Sequence, residues 1–263
     1  MEKIIENIKK KNGFIIDMDG VIYHGNKLLE GVLEFLEWLE KSGKKYLFLT
    51  NASERTPKEL QEKLKRLGIN VGEDHFYTSA LATASFLHSQ KPNGSAYIIG
   101  DAGLIHALYS VGYTTNNVNP DYVVVGETHG YNFEKIEIAV NLVIKGARLI
   151  GTNPDVSGPI EHGITPSTKA LIAPIEIATG KKAYFVGKPN PLMMRSALRN
   201  LGVSTEEAIV IGDRMDTDVI CGLESEIDTL LVLSGITSKE EIDKYPFRPH
   251  YVLKGVYEIV QKN

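Results

Sequence analysis

Short apolar segments that resemble β-strands alternate with amphipathic helical segments along most of this 263-residue chain. The strand segments, such as residues 122–125 and 208–211, are unbroken apolar runs, which are typical of strands buried on both faces. Several of the helical segments between them end at a glycine, for example at Gly112 and Gly202. The alternation predicts an α/β fold with parallel sheets covered by helices, in which ligands bind beyond the carboxyl ends of the strands.

Two aspartates directly follow the first of these strands. Residues 14–16 are Phe-Ile-Ile, and Asp17, Met18, Asp19 and Gly20 come next. Carboxylates at the end of a buried strand cost free energy unless a cation compensates them or the site uses them chemically. An isolated Asp-x-Asp-Gly segment is also typical of a simple turn. Its interpretation therefore depends on what the other strands supply.

The other predicted strands end on residues that suit the same chemistry. The polar residues that follow strands 46–49, 184–186 and 208–211 are Thr50, Asn51, Lys188 and Asp213, with Arg214, Asp216 and Asp218 just beyond. We expect these groups to collect at one sheet edge. Carboxylates, an ammonium group, a hydroxyl and an amide together suit a phosphoryl group held against Mg²⁺, which prefers oxygen ligands.

The residue types suggest a role for each group. We expect Asp17 and Asp213 to bind Mg²⁺, and Asp17 to accept the phosphoryl group as a nucleophile. Lys188 is expected to neutralise negative charge, while Thr50 and Asn51 donate hydrogen bonds to the phosphoryl oxygens.

Asp19 points away from Asp17 if the backbone stays extended. A turn at this point would instead bring Asp19 to the leaving oxygen, where it is expected to act as general acid and then as general base. Asp216 is expected to complement a helix dipole.

Composition excludes several classes of protein. A net charge of −4 and a pI of about 6.0 give no bulk attraction to nucleic acid or to anionic lipid. The lone cysteine, Cys221, excludes an intramolecular disulfide and fits a reducing compartment. We expect a cytoplasmic protein that binds neither a nucleic acid polymer nor a membrane, since no segment approaches a signal peptide or a membrane span.

The residues at these strand ends form four motifs, which are Asp17-Met18-Asp19-Gly20-Val21, Thr50-Asn51, Gly187-Lys188-Pro189 and Gly212-Asp213-Arg214-Met215-Asp216-Thr217-Asp218. Together they resemble the four motifs of the haloacid dehalogenase (HAD) superfamily, and in particular of its NagD-type (class IIA, C2-capped) phosphatases. Further segments resemble the same branch and are Phe76-Tyr77-Thr78-Ser79-Ala80, Val118-Asn119-Pro120-Asp121, Gly126-Glu127-Thr128, Thr152-Asn153-Pro154-Asp155 and Val232-Leu233-Ser234-Gly235. The likeness covers nearly the whole chain.

The resemblance implies a Rossmann-like core with a parallel sheet, built from residues 1–80 and 184–263, and an inserted α/β cap of the C2 type at residues 81–183. It implies an Mg²⁺-dependent phosphatase with an aspartyl-phosphate intermediate, acting on nucleoside monophosphates such as UMP or on other small phosphorylated metabolites. By motif match, Asp17 is the nucleophile, and Asp19 is the general acid and base and binds the metal through its backbone carbonyl. Thr50, Asn51 and Lys188 bind the phosphate group. Asp213 binds the metal, and Asp218 supports the water molecules on the metal.

The cap is expected to determine which phosphate ester is bound. Its candidate specificity residues lie in predicted loops and are His129, Tyr131, Asp155, Glu161, His162 and Lys169. The chain departs from the family pattern at Ala52 and at residues 166–169, so the substrate is left open. Residues 155–166 are rich in Pro and Gly and are predicted to form a loop, and the cap is a candidate face for a homodimer.

Two other functions remain open on sequence grounds. A phosphotransferase or mutase would use the same residues but would pass the phosphoryl group to an alcohol instead of water. A non-catalytic protein that binds a phosphorylated ligand would lack a catalytic group, whereas both Asp17 and Asp19 are present.

Overall fold

The computed structural model describes residues 2–160 and 163–261. Their strands, in chain order, are β1 Gly13–Ile16, β2 Tyr23–His24, β3 Lys27–Leu28, β4 Lys45–Thr50, β5 Phe76–Thr78, β6 Ser95–Ile99, β7 Thr114–Thr115, β8 Tyr122–Val125, β9 Arg148–Gly151, β10 Ser157–Ile160, β11 Gly163–Pro166, β12 Tyr184–Phe185, β13 Ala208–Gly212, β14 Asp228–Val232 and β15 Tyr251–Leu253.

The α-helices of the same residues are α1 Glu2–Lys10, α2 Val32–Lys41, α3 Pro57–Arg66, α4 Ser79–Gln90, α5 Ala102–Ser110, α6 Phe133–Ile144, α7 Thr168–Thr179, α8 Pro191–Leu201, α9 Ile220–Glu224 and α10 Tyr257–Val260. Short 3₁₀ segments lie at Glu73–His75 and Lys239–Lys244, and a π-helical turn lies at Met215–Val219. None of the helices in these described residues has the length and apolar character that crossing a membrane requires.

The described residues divide into two units. The first lies within Met1–Thr50, Gln61–Tyr77 and Pro191–Asn263, and the second within Asn51–Leu60 and Thr78–Asn190. The domain bounds of 1–80 with 184–263 and of 81–183 stay a prediction.

The first unit is built around a six-stranded sheet of order β15-β14-β13-β1-β4-β5. Its central strand β1 pairs in parallel with β13 on one side and β4 on the other. Every residue of β1 is buried, which explains its unbroken apolar sequence. Helix α2 covers this strand, with Phe35 and Trp38 packed edge-on against Phe14.

The second unit has a five-stranded sheet of order β12-β9-β8-β6-β7, whose adjacent pairs are all parallel. Val123 and Val125 of β8 pack with Ile172 and Ile175 of helix α7 in its apolar core. Together with the sheet of the first unit, this arrangement confirms the predicted α/β class with parallel sheets and helices.

Two predictions about the middle of the chain were wrong. Strands β10 and β11 form an antiparallel hairpin where a loop was predicted. Pro159 lies within this hairpin, which is compatible with its two-stranded sheet because each strand keeps one open edge. Strand β12 joins the sheet of the second unit beside β9, although its sequence was grouped with the strands that end on Asp17 and Asp213. Local sequence predicts a strand, but the neighbour with which it pairs is decided by tertiary packing.

Two local features mark the helical segments near the carboxyl terminus. The π-helical turn Met215–Val219 directly precedes α9. Ser238 and Glu241 form a capping box at the start of the 3₁₀ segment Lys239–Lys244. Before it, the backbone N–H of Thr237 donates to the carbonyl of Asp213, at 3.1 Å.

Candidate active site

Three carboxylates meet at the carboxyl end of the central strands in the first unit. Asp17 follows β1 and Asp213 follows β13, and these two strands pair so that Ile16 lies opposite Ile211. Asp218 comes from the turn Met215–Val219, and one oxygen from each of the three aspartates lies within 4.8 Å of the others. Asp213 and Asp218 are 2% and 1% exposed, and Asp17 is half-buried.

This carboxylate cluster fits a hard divalent cation. Like charges this close and this buried repel one another unless a cation or a proton compensates them. Carboxylate oxygens alone make up the donor set, and that set suits Mg²⁺ and not a metal that prefers sulfur or nitrogen ligands.

Glycine on two sides makes room for the Asp213 carboxylate. A Cβ atom on Gly235 would lie 2.5 Å from Cγ of Asp213, and a Cβ atom on Gly20 would lie 2.7 Å from it. Gly20 also has a φ of +77°, which favours glycine. One oxygen of Asp213 accepts a 2.7 Å hydrogen bond from the backbone N–H of Ile236, so the carboxylate is fixed in this space.

The chain turns sharply after Asp17, which is the second of the two backbone conformations considered for Asp19 from the sequence. Asp17 still donates its backbone N–H to Ile211 of the sheet, at 2.8 Å. Beyond it, the Ile22 N–H donates to the Met18 carbonyl at 2.9 Å, and Gly20 takes its positive φ. Asp19 is exposed on this turn, and Met18 before it is fully buried. The backbone is therefore no longer extended after Asp17, and the rule that side chains alternate between the two faces of a strand does not apply to Asp19.

Thr50 and Asp216 are the other two predicted residues that lie in the first unit. Thr50 ends β4, the other neighbour of β1, and is 9% exposed. Asp216 accepts two hydrogen bonds from the Arg214 guanidinium, at 2.8 and 3.0 Å. Burial opposes ionisation of Asp216, but these hydrogen bonds and the charge of Arg214 outweigh it and hold its pKa below the usual range. Asp216 therefore has an ion-pair partner in Arg214.

Asn51 and Lys188 lie together in the second unit. The backbone N–H of Lys188 donates to the amide oxygen of Asn51 at 2.8 Å, and the amide nitrogen of Asn51 donates to the Lys188 carbonyl at 3.0 Å. The same amide nitrogen donates to the Asp155 carboxylate at 2.8 Å. Lys188 is 3% exposed. The side chain of Asn51 thus fixes the backbone that carries Lys188.

Glu127 organises a polar network that sequence reasoning missed. One carboxylate oxygen accepts from the backbone N–H of Ser53 at 3.1 Å and from its hydroxyl. The other oxygen accepts from the Asn153 amide at 2.6 Å and from the Ser167 hydroxyl at 2.7 Å. Asn153 in turn donates to the carbonyl of Asn51 at 2.8 Å, so the network reaches the residue that holds Lys188. The available signal was the position of Glu127 just after the carboxyl end of β8.

We expect Glu127→Gln to destabilise the second unit by about 1–3 kcal/mol. Both carboxylate oxygens of Glu127 accept hydrogen bonds, and the variant would replace one of them with an NH₂ group that faces the same donors. Urea unfolding measures this change, and Glu137→Gln on the exposed face of α6 is the matched control. Equal stability of the two variants would contradict the role given to Glu127.

The residues predicted to determine substrate specificity in the cap have different surroundings. Tyr131 donates its hydroxyl to the carbonyl of Leu171, and burial raises its pKa, which are features of a packing residue. His129 and Lys169 are exposed, and Asp155 contacts Asn51 as described. Glu161 and His162 lie outside the described residues.

Comparison with known proteins gives consistent matches. A family model described as haloacid dehalogenase-like hydrolase matches residues 14–114, and one described as HAD-hydrolase-like matches residues 185–259. The chain is 46% identical to dihydroxyacetone phosphatase of Corynebacterium glutamicum over 94% of this chain and 90% of that protein. It is 42% identical to the ribonucleotide monophosphatase NagD of Escherichia coli over 93% of this chain and 96% of that protein.

The fold is similarly matched among solved structures. The 4-nitrophenylphosphatase of Thermotoga maritima superimposes with a TM-score of 0.93 at 33% identity, covering 97% of this chain and 98% of that one.

Proposed function

We infer the function of this chain from its family: it belongs to the haloacid dehalogenase-like hydrolases and, within them, to the NagD-type phosphatases. It is a phosphoric monoester hydrolase, and its relatives act on small phosphorylated substrates. We propose in addition that Mg²⁺ is required, that hydrolysis passes through a phosphorylated Asp17, and that nucleoside monophosphates such as UMP are substrates.

The observation that carries this proposal is the cluster of Asp17, Asp213 and Asp218 at the carboxyl end of the central strands. Asp213 and Asp17 are proposed to hold Mg²⁺ through their carboxylates, with the carbonyl of Asp19 as a further ligand. Asp218 would act on the metal or its waters, since its oxygen lies as close as the other two. When bound, Mg²⁺ supplies positive charge that offsets the repulsion between an anionic nucleophile and an anionic phosphate.

The chemical steps are proposed for the aspartates of the first motif. An oxygen of Asp17 attacks phosphorus, and the bond from phosphorus to the ester oxygen breaks. Asp19 gives its proton to that leaving oxygen. Asp19 then takes a proton from water, which attacks phosphorus, releases phosphate and restores the Asp17 carboxylate. The exposed position of Asp19 after a sharp turn supports this role, because exposure allows exchange of protons with solvent.

The remaining site residues are proposed from the motif resemblance and their own surroundings. Thr50 and Lys188 are proposed to bind the phosphoryl oxygens, with Lys188 adding positive charge. Asn51 was predicted to bind phosphate; its side chain is hydrogen-bonded to Lys188 and Asp155, which supports a positioning contribution as well. Three further points stay predictions. They are the use of the cap as a dimer face, the roles of the cap specificity residues, and the cytoplasmic location.

The substrate proposal is tested by comparing kcat/KM for UMP, dihydroxyacetone phosphate and 4-nitrophenyl phosphate. These represent the classes named for the similar proteins. We expect all three to release phosphate, with UMP preferred and with activity falling about 100-fold or more when EDTA removes divalent cations. Undiminished activity in EDTA would contradict the Mg²⁺ requirement.

A higher kcat/KM for dihydroxyacetone phosphate would overturn the nucleotide preference and leave the chemistry intact. Added glycerol separates hydrolysis from transfer, because a phosphotransferase would form glycerol phosphate in excess of free phosphate.

A further inference from the structure

A pocket of about 590 Å³ opens at the amino-terminal edge of the sheet in the second unit. Tyr122, Arg148 and Tyr184, which line it, are the first residues of β8, β9 and β12. Phe86 of α4 and the consecutive Lys181 and Lys182 also line it. These six residues define the basic pocket. Its volume falls in the range of small-molecule sites, roughly 300–1,000 Å³.

The basic pocket is separate from the polar network of the same unit. Glu127, Asn153 and Lys188 all follow the carboxyl ends of β8, β9 and β12. The basic pocket lies at the opposite ends of these strands. Since β8 and β9 are each four residues long, the two sheet edges are roughly 10 Å apart.

The charge of the basic pocket suits an anion. It contains three cationic side chains, and the described residues that line it include no Asp or Glu. Lys182 approaches Glu176 at 3.6 Å, but the lysine side chain is 87% exposed, so solvent screens this pair. The chain as a whole has a net charge of −4, so the positive charge of the pocket is opposite in sign to the charge of the whole chain.

Three aromatic side chains, Phe86, Tyr122 and Tyr184, line the pocket together with these cations. The rings of Phe86 and Tyr184 lie 5.2 Å apart at 31°, and Tyr184 is 44% exposed. The Arg148 guanidinium donates to the Tyr122 hydroxyl at 3.3 Å, and its carbon lies 5.8 Å from the ring centroid. Tyr122 is 2% exposed, so the Tyr184 ring is the face on which a planar ring can stack while its acidic group meets the cations.

We propose that the basic pocket is a second ligand site, which binds an aromatic anion of mononucleotide size and is separate from the site of hydrolysis. Occupancy stabilises the second unit, because a ligand that binds only the folded state raises the unfolding temperature. The ring and the negative charge are both needed, since each meets a different part of the pocket.

The test uses 3′,5′-cyclic AMP as the probe, because this phosphodiester has a base and one negative charge but is not a phosphate monoester. Calorimetric titration of the full chain is expected to show one saturable site, with adenosine and inorganic phosphate each binding at least about tenfold more weakly. Binding should persist when inorganic phosphate is added at the same concentration as the probe, because phosphate is the weaker ligand of the pocket. It should also fall about tenfold or more in Arg148→Gln and in Lys181→Gln, whose exposed side chains can be replaced without disturbing the core.

Lys135→Gln is the matched control, because Lys135 lies in the first turn of α6 and does not line the pocket. Cyclic AMP binding that an equal concentration of inorganic phosphate abolishes would assign the probe to the hydrolytic site and overturn the proposal. So would equal binding by all three variants, or no binding at about 10 mM probe. None of these outcomes depends on whether the chain hydrolyses UMP.

Discussion

Asp17→Asn is expected to lower kcat for phosphate release on the order of 10⁴-fold or more, the scale of loss seen when a nucleophile is removed from an enzyme. An amide lacks the charge and nucleophilicity of a carboxylate, so it cannot form the acyl phosphate. The substitution keeps the shape of the side chain at the end of β1. Steady-state release of phosphate from 4-nitrophenyl phosphate measures the loss, and circular dichroism checks that the variant is folded.

Asp17 is proposed both as nucleophile and as metal ligand, and the two roles give different results at high Mg²⁺. Loss of a ligand alone is offset by mass action, whereas loss of the nucleophile is not. The matched control is Asp216→Asn, since Asp216 is paired with Arg214 and lies outside the cluster of three carboxylates. Near-complete recovery of Asp17→Asn in excess Mg²⁺ would refute the nucleophile assignment and leave a metal ligand only.

Gly235→Ala is expected to weaken Mg²⁺ binding by about 10–100-fold, the range found when the support of a metal ligand is changed. The added methyl group would lie 2.5 Å from Cγ of Asp213, so the carboxylate must move. This carboxylate has little freedom, because the Ile236 N–H holds it at 2.7 Å and Gly20 lies on another side. Calorimetric titration with Mg²⁺ alone measures the effect without relying on activity.

A glycine with open surroundings provides the control for this substitution. Gly158→Ala meets only the Thr165 methyl group, at 4.0 Å, and should leave Mg²⁺ affinity unchanged. The expected pattern for Gly235→Ala is a higher Mg²⁺ requirement with activity partly recovered at high Mg²⁺. Wild-type affinity in Gly235→Ala would show that Asp213 is not a metal ligand in the position seen here.

Sequence reasoning located the carboxylate cluster because it depends on local features. Buried parallel strands are recognisable from continuous apolar runs, and residues directly after them share an edge of the sheet. Asp17 and Asp213 follow adjacent strands by this rule, and the structure brings them together. The close approach of Asp218 comes from a π-helical turn, which leaves no clear pattern in one sequence.

The features that sequence reasoning missed depend on partners far apart in the chain. Strand β12 has the composition of a core strand, yet it pairs with β9. Glu127 draws its donors from Ser53, Asn153 and Ser167, and no local pattern signals this convergence. The hairpin of β10 and β11 contains Pro and Gly, whose turn preference concealed the strand pairing.

The order of strands in the first unit has a consequence during synthesis on the ribosome. Strand β1 needs β13 on one side, but about 160 residues separate the end of β4 from the start of β13. At about 5–20 residues per second, roughly 8–30 s pass before that neighbour exists. The five-stranded sheet of the second unit lies entirely within this interval and is complete before β13 is made. Until residues 208–212 have been translated, the edge of β1 that pairs with β13 therefore keeps its backbone N–H and C=O groups without that partner, with Asp17 directly after it.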